Sequence, residues 1–506
     1  MLSDSYEEEL TQMKRLSYHV LQEIGYKGFV LKDTPVKVLQ FGEGNFLRAF
    51  VDYFFDVANE KSAWNGKVVI TLPIGAGKDV VFREQECLYT LCTRGREGDR
   101  TIDEKRVISV VKDCLNTIDK FDEVIETACL DSLEYIVSNT TEAGIVYVPE
   151  ARYDEKPPRS FPAKLTKVLH KRFEAGKKGL VILSCELIDA NGKALLDCIK
   201  KHAEDWDLDE AFVYWLLEEN TFCSTLVDRI VPGAITDKDA LAQLHTENGY
   251  EDQLIDVGEV FAVWYIEGDE ALEARLPFKE AGLPVHVVPD ITPYKKRKVR
   301  ILNGAHTGFV PAAFLTGKDI VRDCIEDETI HAFVQKMLKN EIIPILPLNK
   351  DDLSAFADAV CDRFNNPFID HALLSISLNS SSKWRVRNMP SLLEYVEKFH
   401  ELPPCLVMSL AAYIAFATTG MEMRTKDAIV CRRADGTAYE VKDDAAVLDF
   451  FWTHKGAEDA NLVHDALTNE TLWGMDLTQV EGLEAAVGSS LALLREDPKR
   501  ALASCL

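Results

Sequence analysis

Two hydrophobic rhythms divide the chain. Up to about residue 292, short apolar runs bounded by glycine, asparagine and serine alternate with longer amphipathic stretches. Val36–Phe41 reads as a buried strand that breaks at Gly42-Glu43-Gly44 and gives way to an apolar helix through about Asn59. Val68–Leu72 follows about thirty residues after the first strand, the separation a strand–helix–strand unit requires. Alternation between residues 84 and 111 predicts two or three antiparallel strands, including Leu88–Thr93 and Val107–Val111. Leu133–Ser138, Gly179–Ser184, 257–267 and 285–289 complete the strand set. From about residue 293 the strand signals fade. Helical periodicity dominates over 298–316, 327–340, 351–364, 367–378, 390–400 and 405–419. The shift predicts an α/β domain over residues 1–292 followed by a mostly α-helical domain over 293–506.

Charge narrows the partners. The chain carries a net charge of −26, which argues against nucleic acid and anionic membrane. An anionic substrate would need a local basic pocket against that field. Twelve cysteines are scattered without a Cys-x-x-Cys pair, as expected of a reduced, cytoplasmic protein. The acidic, amphipathic start does not read as a signal peptide. No apolar run reaches the roughly 20 residues of a membrane span, and nothing implies a partner protein.

Three stretches carry candidate chemistry. In the first, the strand, glycine turn and helix around Gly42–Arg48 form the setting in which a dinucleotide's pyrophosphate lies on backbone amides. Such a turn would suit a Rossmann-like first domain that binds a dinucleotide. Leu47 stands where G-x-G-x-x-G has its third glycine, so an ordinary strand-to-helix turn has the same appearance. The next strand ends in Leu72-Pro73-Ile74-Gly75-Ala76-Gly77-Lys78, without the acid that reads ribose hydroxyls, and NAD against NADP stays open.

The second stretch runs from Tyr294 to Phe309. On an α-helix Lys298, His306 and Asn303 sit at about 0°, 80° and 140°, roughly one side. They offer an amine to move a proton, an imidazole to orient or donate, and an amide to grip a carbonyl. Lys295, Lys296, Arg297 and Arg300 crowd Lys298 and would disfavour its charged form. The same residues could equally be a solvated charge, a packed histidine and a local backbone binder. In the third stretch, Lys383, Arg385 and Arg387 recur at every second position after Ser380-Ser381-Ser382. An extended segment would aim all three to one side, as a carboxylate-binding patch or as solvated surface charge.

Lys298-x-x-x-x-Asn303-x-x-His306 resembles the catalytic signature of the mannitol dehydrogenase family, the long-chain polyol-specific dehydrogenases. Gly42-x-Gly44-Asn45-Phe46-x-Arg48 is similar to that family's cofactor loop, which implies cofactor contacts across Leu39, Gln40, Phe41, Gly42, Glu43, Gly44, Asn45, Phe46, Leu47, Arg48, Ala49 and Phe50. Ser138-Asn139-Thr140-Thr141-Glu142-Ala143-Gly144-Ile145 resembles its segment near the nicotinamide, which implicates Thr141 and Glu142. Val227-Asp228-Arg229-Ile230 resembles a segment whose acid lies at the substrate site, and Ser381-Ser382-Lys383 resembles the substrate segment. Two positions depart from the polyol pattern: Leu187 stands where an oxygen-binding asparagine is expected, and Ser375 where an arginine is. Asn191 is out of register for the missing asparagine.

The string Arg297–Thr307 looks most like the tagaturonate reductase branch, and the resemblance covers about 36–495. It implies NAD-dependent, metal-independent hydride transfer between D-tagaturonate and D-altronate in hexuronate catabolism. Lys298 would be the acid/base, Asn303 would hold the reacting oxygen, and His306 would position substrate. Asp228, Lys383, Arg385 and Arg387 would meet a small-molecule sugar acid in a cleft between the domains. Fructuronate reduction, polyol 2-oxidation and non-catalytic sugar-acid binding are the rival expectations.

Overall fold

The computed structural model describes residues 13–72, 77–141 and 143–506. The chain forms two compact units. The first comprises the described residues up to Arg94 together with Ile102–Ile291, and the second comprises Gly95–Thr101 with Thr292–Leu506.

The first unit holds strands β1 (Val36–Phe41), β2 (Lys67–Leu72), β3 (Tyr89–Glu97), β4 (Arg100–Ile108), β5 (Val111–Asn116), β6 (Tyr135–Ser138), β7 (Val181–Ser184), β8 (Thr221–Asp228), β9 (Asp256–Glu259), β10 (Val263–Glu267) and β11 (Val285–Val288). Residues 95–101, at the tip of β3 and the start of β4, belong to the second unit. Eight of the strands make one sheet in the order β11-β10-β8-β7-β6-β1-β2-β5. From β5 to β8 every pairing is parallel, while β10 runs antiparallel to β8. The order β5-β2-β1-β6-β7-β8 is that of a doubly wound nucleotide-binding sheet, with its topological switch between β1 and β6. Alternate side chains feed two cores. Val38, Val68 and Ile70 pack on one face, and Leu39, Phe41 and Val69 on the other. That two-sided burial explains why these strands read as continuous apolar runs.

The region predicted as one strand over 257–267 is two. β9 pairs with β3 in a separate three-stranded sheet, and β10 turns back to join the main sheet.

Helix dominates the second unit, where residues 292–315 form one continuous central helix. Every residue from Gly304 to Leu315 is buried. It packs against the equally apolar helix Pro404–Thr418. Gly308 allows close approach, since a Cβ there would lie 2.7 Å from Met337 Sδ. Two details differ from the expected pattern. Over 367–378 only Leu373–Ile376 is helical. A small sheet of Met423–Arg424, Ile429–Arg432 and Ala438–Val441 also interrupts the helices. No helix among the described residues is long and apolar enough to cross a membrane.

Two helices depart from α geometry in the stretches singled out for chemistry. The helix after the glycine turn, residues 45–61, is π-helical over Arg48–Asp52, and the central helix is π-helical over Lys298–Asn303. Such wide turns are uncommon and concentrate at functional sites. Asp52, in the first of them, is fully buried and accepts a hydrogen bond from Tyr89 Oη at 3.2 Å. Burial lifts its carboxyl to about 7. The folded state therefore holds this proton more tightly than the unfolded chain, whose aspartate titrates near 4. The favourable contribution is complete at low pH and is lost as pH rises through about 7. Asp52→Asn, which keeps an acceptor for Tyr89, should melt above the wild type at about pH 8, and the gap should close toward about pH 4. Thermal melts across that range decide it, and a gap independent of pH would assign the titration elsewhere.

Candidate active site

In the first unit the site begins where β1 meets the glycine turn. Gly42 has φ +123°, a conformation suited to glycine, and a Cβ there would sit 3.0 Å from the Asn139 carbonyl oxygen. The glycine turn and the segment after β6 thus touch at the switch point. Gly44 caps the 45–61 helix without a side-chain cap, and nothing lies within 4 Å of where its Cβ would point. Open space over uncapped amides is what a pyrophosphate requires.

Of the twelve residues expected along this loop, Glu43, Gly44, Asn45 and Phe46 reach the surface. Leu39, Gln40, Phe41, Gly42, Leu47, Arg48, Ala49 and Phe50 are buried and support them from beneath. Gln40 Nε2 donates to the Gly42 carbonyl at 3.1 Å. Arg48 is an internal brace. Its guanidinium donates to the Leu254 carbonyl and to Asn45 Oδ1, and it lies 3.6 Å from the buried Asp256 carboxylate.

Thr141 is exposed, with φ +72°, a conformation costly for a β-branched residue and typical of ligand-facing turns. Glu142 lies outside the described residues. The turn is held by Glu186, which the sequence reading passed over. Its carboxylate accepts from Thr140 N and Thr140 Oγ1, both at 3.0 Å, and from Ser138 Oγ at 3.1 Å. Burial raises its carboxyl above the ordinary range. The available signal was an acid two residues beyond a buried strand. Leu187, where the polyol pattern has asparagine, is 62% exposed. Asn191 is fully engaged as a clamp, donating to the Glu186 and Thr225 carbonyls and accepting from Thr225 N and Gly192 N. Asp228 is buried at the end of β8.

In the second unit the wide turn changes the expected angles. With i→i+5 hydrogen bonding, residues five apart stack on one face, so Lys298 and Asn303 come together more closely than an α-helix would bring them. Both are half-buried. Three members of the basic run around Lys298 have partners of their own. Lys296 and Arg300 both pair with Glu394, at 2.9 and 3.0 Å, and Arg297 lies over the Phe356 ring.

His306 is buried, stacked on Phe364 with ring centroids 4.0 Å apart and set edge-on to His371 at 5.3 Å. Its Nε2 has no protein partner. Burial first, then the positive surroundings of His371, Arg363, Arg387 and Lys383, hold its pKa well below the ordinary imidazole value. The ring is neutral and has a nitrogen to offer a ligand.

Ser380–Arg387 is a helix, not the extended segment expected. Buried Trp384, bonded to Ser409 Oγ and edge-on to Trp473, anchors one face, and Asp443 accepts from Ser381 N and Oγ at its start. Helical spacing then splits the three cations. Lys383 and Arg387, four apart, share a face and act on His306. Arg387 donates to Thr307 Oγ1, one residue beyond His306, at 3.1 Å, and Lys383 to the Ile376 carbonyl at 2.8 Å. Arg385 points elsewhere, exposed and beside Gly474. Arg363, buried on the helix Lys350–Phe364, takes the third place. Nothing local in the sequence distinguishes it. Among the described residues no group of three or more His, Cys, Asp or Glu side chains could hold a metal ion.

A doubly wound unit with an open glycine turn, and a helical unit with lysine, amide and neutral imidazole on one helix, are the two parts of a nicotinamide-dependent oxidoreductase. Residues 36–280 match the mannitol dehydrogenase Rossmann domain and residues 290–494 the mannitol dehydrogenase C-terminal domain. The chain belongs to the mannitol dehydrogenase family. It is 42% identical over 492 residues to an altronate oxidoreductase of Yersinia enterocolitica, covering 95% of this chain and 99% of that one. Identity to the altronate oxidoreductase of Bacillus subtilis is 39% over 469 residues, covering 91% and 93%. Among solved structures, a D-sorbitol dehydrogenase superposes with TM-score 0.79 at 22% identity, covering 92% of this chain and 95% of that one. Mannitol 2-dehydrogenase of Pseudomonas fluorescens superposes with TM-score 0.67 at 21% identity, covering 97% and 99%.

The open space at Gly44 yields a direct test. A Cβ at Gly44 meets no protein atom within 4 Å and φ there is negative, so Gly44→Val should cost ~1 kcal/mol of stability or less. It should nevertheless abolish or severely weaken NADH binding in a fluorescence titration. A folded variant with unchanged NADH affinity would remove the turn from the cofactor site.

Proposed function

We propose that the chain reversibly reduces D-tagaturonate to D-altronate with NAD(H). The observation that carries this reading is the ring of cations about neutral His306. Lys383, Arg387 and Arg363 all act on it, with Arg387 bonded to the adjacent Thr307, in a protein of net charge −26. A neutral polyol has no use for such a site, whereas a sugar acid brings the carboxylate that guanidinium and ammonium groups bind. The departures at Leu187 and Ser375, and the altronate oxidoreductases among the relatives, support the same substrate.

The cofactor, when bound, supplies or accepts the hydride at the substrate's carbonyl carbon. The chain supplies the proton and the grip. Lys298 gives its proton to the substrate oxygen as charge develops there on reduction, and takes it back in the reverse direction. Asn303, stacked on the same face, donates its amide N–H to that oxygen. Neutral His306 bonds a substrate hydroxyl through its open Nε2, and Lys383, Arg387 and Arg363 hold the carboxylate. In the first unit, Gly44, Asn45 and Phe46 would line the pyrophosphate end of the cofactor, Thr141 and Glu142 would meet its nicotinamide half, and Asp228 is that unit's candidate for the substrate. A hydroxyl-rich ketonic acid in this arrangement needs no metal to polarise its carbonyl, because a charged lysine acts on the reacting oxygen.

Two measurements test the reading. Lys298→Ala should lose ~10²–10⁴-fold in turnover with NADH binding nearly normal, and retention of more than about a tenth of wild-type turnover would reject the acid/base role. Separately, Lys383→Met and Arg387→Met should each lower kcat/KM for tagaturonate about ten- to a hundredfold, the worth of one charge-assisted contact, while fructose is turned over nearly as before. Wild-type preference for fructose, or equal losses on both substrates, would make this a polyol dehydrogenase instead.

A further inference from the structure

The strand that ordinarily carries the ribose-reading acid lacks one here. β2 ends at Leu72, and no acid follows before Lys78. In doubly wound folds that carboxylate bonds the ribose hydroxyls of NAD and disfavours the 2′-phosphate of NADP. The structure supplies a carboxylate from the neighbouring turn. Glu43 lies between Gly42 and Gly44, with its side chain only 16% exposed. Lys78 Nζ donates to both of its oxygens, at 3.0 and 2.9 Å. β1 and β2 are adjacent parallel strands in which Phe41 pairs with Thr71. The ion pair therefore bridges the chain segments just beyond the C-terminal ends of both strands, where such sheets receive the adenosine half of a dinucleotide. The nearby Arg83 guanidinium is already engaged by Asp79, so Lys78 is the cation that fixes Glu43.

We propose that Glu43, aimed by Lys78, is the residue that reads the adenosine ribose and makes the first unit select NAD over NADP. The inference rests on the nicotinamide-cofactor reading of that unit and is independent of the sugar acid. A carboxylate accepts hydrogen bonds from two ribose hydroxyls but repels a 2′-phosphate, which carries about −1.5 to −2 charges at neutral pH. The partner has the opposite sign. Freed of Glu43, the Lys78 ammonium, 55% exposed, would meet that phosphate. The two variants should thus shift selectivity in opposite directions.

The test is isothermal titration of the full-length protein with NAD⁺ and with NADP⁺, without sugar acid, each variant first checked by thermal melt. Wild type should bind NAD⁺ more tightly by about ten- to a hundredfold. Glu43→Gln should tighten NADP⁺ and narrow that ratio by about tenfold, whereas Lys78→Met, which leaves Glu43 less firmly aimed but its charge unneutralised, should weaken both dinucleotides, NADP⁺ the more, and so widen it. Equal wild-type affinities, no change in the ratio in either variant, or shifts in the same direction would overturn the proposal. Absence of binding to either dinucleotide would overturn it together with the cofactor reading. Failure to turn over tagaturonate, with the ratios as expected, would leave it standing and reject only the substrate.

Discussion

Backbone carbonyls released by a widened helix must find other donors, and much of both functional segments is arranged around that need. Where hydrogen bonding shifts from i→i+4 to i→i+5, the ladder leaves gaps that burial would make costly. In the 45–61 helix the carbonyl of Arg48 accepts from Tyr89 Oη at 2.8 Å, and that of Ala49 accepts from the Arg229 guanidinium. Just past the wide turn of the central helix, the carbonyl of Gly304 accepts from Asn388 Nδ2 at 3.1 Å. Tyr89, Arg229 and Asn388 are all buried, and they lie far away in sequence. Each looks like a candidate for chemistry and is instead a donor to helix backbone in or beside a wide turn.

That division of labour explains which parts of the fold and site were legible in the sequence. Strand positions in the sheet were readable because burial on both faces leaves continuous apolar runs. The glycine turn was readable because Gly42 answers a local backbone demand. The segment after Ser380 was misjudged for a physical reason. Period-two spacing of Lys383, Arg385 and Arg387 suggested an extended segment, but Trp384 between them is the residue with a destination, and its burial favours the helix. Once the segment is helical, Arg385 is on the wrong side. Arg363, Glu186 and the pairing of Glu43 with Lys78 were not legible, because each acquires its role from a partner dozens of residues away.

Electrostatics divides the protein by scale. Globally it is strongly acidic, yet the surroundings of His306 are cationic and dry enough to keep the imidazole neutral. An anion arriving there would exchange a repelling surface for a small attractive interior. The acids buried in the first unit show the complement: Asp52, Asp56, Asp252 and Glu186 all have carboxyls raised by burial. Hydrogen bonds from neutral groups, such as Tyr89 to Asp52 and Thr140 to Glu186, offset part of that cost.

The wide turn over Lys298–Asn303 also has a consequence for how the site is inherited. A π segment is a helix with a residue to spare. Loss of one residue within Lys298–Asn303 would let the ladder close as an ordinary α-helix with its two ends facing nearly as before, because five residues of the wide turn and four of an α-helix span about the same arc. Loss of a residue between Asn303 and His306, where the helix is regular, would instead turn Lys298 and Asn303 by about 100° relative to His306. The bearing of Lys298 on His306 is therefore recorded in chain length as much as in side-chain identity, and the wide turn is where a change of length can be absorbed. Among family members, an indel in the regular part of this helix would mark divergence of function that a comparison of matched residues alone would pass over.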